Sequence, residues 1–253
     1  MSTSVLRPLI VVPAWNEEQT VGETVLEIRS ATPDIPVLVV SDGSTDDTVH
    51  MARSAGARVL ELPIRLGVGG AMRAGFRYAV HNGYDAAVQV DADGQHDPKQ
   101  VPALLDELGD AEVVIGARFC EHGDAYRVRG PRRWAMVVLS RVLSRLTKTR
   151  LTDATSGFKA TGGQALPLFA EHYPDEYLGD TVESLVIAAR AGCAVTQVPA
   201  RMRPRRGGEP SHRPVKSTIY LGRAGLALAL ALIRRWEITP ATVPVRPVPE
   251  AAT

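Results

Sequence analysis

The chain has 253 residues, of which 45% are hydrophobic, enough to bury one substantial core within a single main domain. Its 29 Lys and Arg against 28 Asp and Glu leave a formal charge of +1, so bulk electrostatics gives no footprint for a nucleic-acid partner. Cys120 and Cys193 lie far apart and form no CxxC or Cys/His spacing, which argues against a disulfide framework and a zinc motif and for reduced thiols in the cytoplasm.

The N-terminal sequence MSTSVLRPLIVVPAWNEE has a strand-length apolar run followed by a polar turn, and lacks the long apolar region of a signal peptide. Short apolar, β-branched runs recur at Leu9–Val12, Val37–Val40, Val59–Leu62, Ala86–Val90 and Val113–Gly116, each bounded by turn residues, and predict buried strands. Helical patterns lie between them, with Val21, Val25 and Ile28 on one stripe. Ser44 and Asp97-Pro98 read as cap and first-turn signals, Gly56 and Asn82-Gly83 as helix ends. This alternation predicts an α/β fold with a mostly parallel, Rossmann-like sheet flanked by helices, whose ligands bind beyond the carboxyl ends of the strands. A dinucleotide fold is excluded because no glycine fingerprint follows the first strand. Met72 also takes the third glycine's place after Gly67, Gly69 and Gly70.

The second half is less regular. It predicts an Arg-rich helix from about Pro131 to Lys148, a short strand near Gly157–Ala160, a helix through Val182, Leu185, Val186 and Ala189 capped by Gly192, and a strand at AVTQVP. Arg201, Arg203, Arg205, Arg206, Arg213 and Lys216 then face only Glu209, and Arg201, Arg203 and Arg213 read individually as a solvated basic surface. Residues 1–213 form the main domain. Residues 214–238 make an amphipathic helix, with Arg223, Arg234 and Arg235 beside four leucines and Trp236, suited equally to docking on the core or lying at a lipid interface. Its longest apolar run, Ala224–Ile233, is too short to span a bilayer. The Pro-rich residues 239–253 read as a disordered tail.

Three expected strand ends carry polar groups: residues 13–17 (PAWNE), 41–44 (SDGS) and 91–93 (DAD), and all three should face one crevice. Asp91 and Asp93, one residue apart after an apolar run, repel each other unless a hard cation such as Mg²⁺ or Mn²⁺ accepts both, taking its remaining ligands from water and phosphate. Gln95 is placed to add an amide oxygen or hold a metal-bound water. An isolated DxD is more often a solvated turn, and it is the surrounding α/β pattern that favours the metal. Asp42 serves equally well as an Asx turn and cap or as a ligand contact. The glycines of Leu66–Phe76 suit either close ligand approach or tight helix packing, and Arg73 is either donor-facing or solvated.

In chain order, VVPAWNEE, VSDGSTDDT, LGVGGAMRAGF, VQVDADGQHDP, IGARF and LTDATSGFKA resemble the inverting family-2 glycosyltransferases of the GT-A fold, over roughly residues 8–210. Within that family DADGQH and DATSGFKA are most similar to the polyprenyl-phosphate sugar synthases. The resemblance implies a nucleotide-sugar site of Pro13, Trp15, Glu17, Val40, Asp42, Asp91, Ala92 and Arg205, and a metal at Asp91, Asp93 and Gln95. It also implies catalytic roles for Asp93 and Asp153, and an acceptor-phosphate site of Arg118 with Arg132 or Arg133. A serine expected after the helix arginine has no match near Met136, and a later lysine is replaced around Ser211-His212. Asp180 and Glu183 match the acidic helix that supplies a base in hydroxyl-glycosylating relatives.

The resulting expectation is a metal-dependent hexosyltransferase that moves sugar from a GDP-mannose- or UDP-glucose-type donor to polyprenyl phosphate, peripherally at the inner face of the cell membrane or beside a membrane-protein partner. A soluble transferase acting on a saccharide hydroxyl and a non-catalytic sugar-nucleotide-binding module are the competing classes.

Overall fold

The computed structural model describes residues 6–118, 131–175 and 180–206. One sheet contains β1 (Pro8–Ala14), β2 (Val37–Asp42), β3 (Arg58–Leu62), β4 (Ala86–Gln89), β5 (Val113–Arg118), β6 (Lys159–Gly162) and β7 (Val195–Ala200), in the order β3-β2-β1-β4-β6-β5-β7. The helices are α1 (Val21–Ala31), α2 (Thr48–Ser54), α3 (Gly67–His81), α4 (Val101–Asp106), α5 (Pro131–Thr147), α6 (Ala165–His172) and α7 (Asp180–Arg190).

β1 runs parallel to β2 and β4, β2 to β3, and β5 to β7, whereas β6 is antiparallel to both β4 and β5. All strands but β6 therefore end at one edge, and β6 starts there. The reversed strand delivers the loop before it, residues 153–158, to the edge where β1, β2 and β4 present their carboxyl ends. The expected mostly parallel, helix-flanked sheet is present, and the three polar strand ends are neighbours in it.

The strands read as continuous apolar runs because both faces are covered. Leu9 and Val11 join the core beneath α3, α6 and α7, while Ile10 and Val12 join the core beneath α1 and α4. All four are fully buried, each contributing about 1.5–3 kcal/mol relative to exposure. The stripe of Val21, Val25 and Ile28 is likewise wholly buried on the inner face of α1. Phe76, Phe169 and Tyr173, with ring centroids 5.1–5.7 Å apart, lock α3 to α6. Cys193 is buried and free, its thiol pushed up to about 11 by burial and the neighbouring Glu112 charge.

Gly192 closes α7 as expected. At φ +80° it donates to Ala189 O while Cys193 donates to Ala188 O, the paired bonds of a Schellman cap. The same pair of bonds ends α2 at Gly56 and α3 at Gly83. Asp97 caps the 3₁₀ turn Pro98–Gln100 that leads into α4, accepting from Lys99 N at 3.1 Å. Ser44 does not cap a helix: α2 begins four residues later, and the Ser44 hydroxyl turns instead to the loop after β1.

The glycine-rich stretch belongs to α3 itself, and close packing is its main use. A Cβ on Gly69 would lie 2.0 Å from Pro174 O, and one on Gly75 would lie 2.4 Å from Val11 Cγ1. Arg73 pairs with Asp175 at 3.0 Å, tying α3 to the segment after α6. The amphipathic helix over 214–238 and the tail 239–253 lie outside the described residues.

The Gly75 contact is directly testable. Gly75→Ala gains about 1 kcal/mol of helix propensity but forces α3 away from β1, an overpacking cost of about 1–3 kcal/mol. Urea denaturation should show a net loss of stability.

Candidate functional site

The loops following β1 and β2 are stitched to each other. Asn16, in the left-handed region at φ 51°, donates its N–H to Ser44 Oγ at 3.2 Å, and its Oδ1 accepts from Thr45 N at 2.8 Å. Glu17 N donates to Thr48 Oγ1, Glu18 N to Asp46 Oδ2, and Asp47 N to Glu18 Oε2. The short polar side chains of WNEE and SDGSTDD thus satisfy one another's backbone across two neighbouring strand ends.

Around this double loop lie the residues expected at the nucleotide. Pro13 and Val40 are register partners on β1 and β2. The Val40 side chain is fully buried in the core facing α3, so a contact to a ligand in the crevice falls to its backbone. Asp42 is also buried, and its carboxylate accepts from Leu66 N at 2.6 Å and Gly67 N at 2.8 Å, holding the start of α3 where the helix dipole favours a negative charge. It caps a helix, as the structural alternative for it proposed, but a helix distant in sequence. Trp15 is 42% exposed at the rim, with the Arg65 guanidinium 3.4 Å from its ring centroid.

β4 ends at Gln89, so Asp91 and Asp93 lie in the turn beyond it and not on extended strand. Ala92 is buried, and its carbonyl accepts from Thr24 Oγ1 at 3.0 Å, pinning the turn to α1. Asp93 Oδ1 accepts from Gln95 N at 3.0 Å. Gln95 is half-buried, and its carbonyl accepts from Arg203 N. Asp91 Oδ1 accepts from Gln89 Nε2 at 3.1 Å, and its backbone N–H donates to Nδ1 of buried His96 at 3.0 Å. Since that nitrogen accepts, the ring proton sits on Nε2, which lies 3.5 Å from Asp91 Oδ2.

Gln89 Oε1 is the one buried side-chain polar atom without a hydrogen-bond partner among the described residues, a cost of about 1–3 kcal/mol.

Residues 201–206 run back along this turn through a bridge between His96 and Met202. Arg205 reaches Glu17 at 3.1 Å and Asp93 at 3.7 Å. Arg203 binds Glu27 and, at 2.7 Å, Asp97, while Arg206 binds Glu27 at 2.9 Å and Glu23 at 3.4 Å. Arg203 is therefore not the solvated surface charge expected of it: its partners lie far away in sequence on α1 and in the acidic turn. Burial raises the Asp93 pKa and the charge of Asp91 raises it further, against the lowering effect of Gln95 N–H, Arg205 and His96. Glu17 is raised mainly by burial, opposed by its Thr20 hydrogen bond and Arg205.

The loop entering β6 completes the edge. Buried Asp153 accepts from Thr155 N at 3.2 Å and Thr155 Oγ1 at 3.0 Å, an Asx turn. Four residues on, a Cβ at Gly157 would lie 3.0 Å from Gln89 Nε2 and 3.3 Å from Asp91 Oδ2, so this loop forms a wall against Asp91. Glu183 lies half-buried on α7. Arg118 ends β5 and Arg132 and Arg133 open α5, but their side chains lie outside the described residues, as does that of Asp180.

The structure thus joins Glu17, Asp93 and Arg205 directly, and sets Asp91 and the Asp153 loop beside them. Gln89, His96, Asn16 and Arg65 were not anticipated as site residues, although a glutamine inside the apolar run AAVQV and a histidine five residues after Asp91 were visible signals.

Residues 9–166 match the family model "Glycosyl transferase family 2". This chain belongs to glycosyl transferase family 2.

Over 213 residues the glycosyltransferase is 33% identical to an undecaprenyl-phosphate mannosyltransferase of Micrococcus luteus, covering 81% of this chain and 86% of that one. It is 30% identical over 165 residues to a polyprenol monophosphomannose synthase of Mycolicibacterium smegmatis, covering 61% of each. Its fold is similar to that of glucosyl-3-phosphoglycerate synthase from Mycobacterium tuberculosis, in complex with Mn²⁺, UDP and phosphoglyceric acid, with TM-score 0.64 and 26% identity across 90% of this chain and 78% of that one.

The acidic turn of the glycosyltransferase suits a hard divalent ion. The Asp91 side chain is 35% exposed, and Asp93 is raised first by burial and then by the Asp91 charge, both of which a neighbouring cation would counter. Among the described residues no cluster of three or more His, Cys, Asp or Glu side chains forms a closed metal cage. An ion here fits as one that takes two carboxylates and completes its shell with phosphate and water, the usual habit of Mg²⁺.

The raised Asp93 pKa fixes the sign of a pH effect. The native state holds this proton to higher pH than the unfolded chain, so metal-free stability falls as pH rises from the ordinary aspartate range of about 3.9 through the raised native value. Asp93→Asn should raise the metal-free melting temperature at pH 7, with the gain shrinking as pH falls towards that range.

Proposed function

We propose that this glycosyltransferase moves a hexose from a nucleoside-diphosphate sugar to a polyprenyl-phosphate acceptor, with inversion at the transferred carbon. The observation that carries this reading is the group Glu17, Asp91 and Asp93 against Arg205 at the carboxyl edge of the sheet, a ready site for a diphosphate and its cation. The lipid-phosphate acceptors named for the Micrococcus and Mycolicibacterium relatives support the acceptor class.

The nucleoside lies over the stitched loops, with Trp15 and Arg65 at the base, and Pro13, Glu17 and Asp42 lining the ribose side. Asp91 and Asp93 hold the divalent ion, Mg²⁺ or Mn²⁺, with Gln95 as a further oxygen donor. That ion, when bound, supplies positive charge to the departing diphosphate. Arg205 adds its own charge at the same end, which requires its hold on Glu17 and Asp93 to be shared with phosphate oxygens.

A phosphate monoester has a second pKa of about 6, so the acceptor is already an anionic nucleophile at neutral pH and needs positioning more than a general base. Asp153, held by Thr155 on the loop beside Asp91, orients it. Arg118 with Arg132 or Arg133 binds its phosphate. The arginines, leucines and tryptophan of the sequence 214–238 suit it to membrane contact. No helix among the described residues is long and apolar enough to cross a bilayer.

Purified protein assayed with Mn²⁺ or Mg²⁺, GDP-mannose or UDP-glucose, and undecaprenyl phosphate should yield sugar that partitions into organic solvent. Sugar appearing only on soluble hydroxyl acceptors overturns the lipid proposal in favour of a saccharide-directed enzyme. Asp91→Asn and Asp93→Asn should each reduce transfer more than about 100-fold, beyond the usual cost of losing an outer-sphere partner. Near-normal turnover by either removes that residue from the donor site. Arg118→Ala should raise the acceptor KM with the donor KM nearly unchanged.

A further inference from the structure

We propose that Gln89 and His96 are positioning residues that hold Asp91, Gln89 by its carboxylate and His96 by its backbone N–H, and so set where the cation and donor diphosphate sit. The proposal rests on the cation reading of Asp91 and Asp93, and extends it to two side chains that touch neither substrate nor metal.

Oδ1 of Asp91 receives Gln89 Nε2 at 3.1 Å, and Oδ2 faces His96 Nε2 at 3.5 Å. The Gln89 amide anchors the carboxylate at Oδ1, and the edge of the His96 ring lies against its Oδ2 side. The Gln89 amide has a single workable orientation, because turning it over would set Oε1 against the Asp91 oxygen and bury two donors in its place. Its register partner Lys159 directs Nζ to Tyr173 Oη at 2.9 Å and Ser184 Oγ at 3.4 Å, and Oε1 is left without a partner among the described residues. A buried acceptor kept at this cost points to a duty other than stability.

His96 is fixed just as firmly. Its ring stacks on Phe158 at 4.9 Å between centroids, its backbone bridges Met202, and its Nδ1 takes the Asp91 N–H. The imidazole therefore fixes the backbone of the aspartate and lies beside its carboxylate. Gly157 lies on the remaining side, where a Cβ would crowd Gln89 Nε2 at 3.0 Å and Asp91 Oδ2 at 3.3 Å. Outer-sphere partners of this kind orient a ligand and tune its affinity for metal.

The experiment titrates Mn²⁺ into the full chain by electron paramagnetic resonance, with UDP present and, in parallel, with GDP. It compares wild type with Gln89→Met, His96→Phe, His96→Asn and Asp93→Ala. Gln89→Met and His96→Phe should weaken Mn²⁺ binding about 10–100-fold. Gln89→Met should do so with an unchanged or higher melting temperature, because it also deletes the unsatisfied acceptor. His96→Asn, which keeps an amide oxygen near the Nδ1 position to accept the Asp91 N–H, should recover most of the affinity that His96→Phe loses.

A purely structural role predicts the opposite pairing, with melting temperature lowered and Mn²⁺ affinity intact. Wild-type affinity in Gln89→Met and His96→Phe, while Asp93→Ala loses it, overturns the positioning role and leaves the cation site standing. Loss in only one of the two variants overturns the role for the other residue. Absent Mn²⁺ binding by wild type, or equal binding by wild type and Asp93→Ala, overturns the cation reading and this proposal together.

Discussion

Carboxylates crowd one end of the sheet: Glu17, Asp91 and Asp93 at the site, with Glu23, Glu27 and Asp97 just behind. Left alone they would repel each other, and burial makes the repulsion costlier for Glu17 and Asp93 in particular. Much of the architecture at this end is a response. Arg203, Arg205 and Arg206 come back from the end of β7 to lie along the acidic turn, each meeting two carboxylates. The Asp93 pKa is raised mainly by burial and further by the Asp91 charge, against the lowering effect of Arg205. A further positive charge beside this pair would therefore favour its ionised form.

Sheet topology decides which loops share that charge. With β6 reversed between β4 and β5, the Asp153 loop enters at the carboxyl edge and its Gly157 abuts Asp91. In an all-parallel sheet the loop preceding that strand would approach from the opposite end. The loop before β6 therefore lies against Asp91 at the edge where β1 and β2 also end. Two buried side chains also converge on that aspartate, Gln89 on its carboxylate and His96 on its backbone.

What could be read from the sequence was what local chemistry controls. β-Branched runs announced the strands, and Gly56, Gly83 and Gly192 announced helix ends because a left-handed residue there is a local requirement. Asp91 and Asp93 drew notice because two adjacent acids need a reason. The partners of those residues were harder to read. Arg203 and Glu27 are separated by 176 positions, and nothing in RMRPRR says which arginine faces solvent. Asp42 looked like a cap for the nearest helix and serves a later one, since the crossover through β3 returns α3 to the end of β2. The glycines of LGVGGAMRAG suited a ligand or a packed helix equally, and only the neighbours Val11 and Pro174 separate those uses. The antiparallel setting of β6 left no local mark, because a four-residue strand carries no sign of its direction.

The reciprocal hydrogen bonds between the loops after β1 and β2 also bear on the thermodynamics of ligand capture. Asn16, Glu17, Glu18, Thr45 and Asp47 have their backbone N–H groups committed across the two loops by the chain itself. The conformational entropy of ordering this surface is therefore lost on folding and does not have to be lost again when a nucleotide arrives. Preorganisation of this kind raises affinity without adding a contact. It also confines the flexibility available for induced fit to other parts of the molecule, and makes these two loops a rigid template at the carboxyl edge of the sheet.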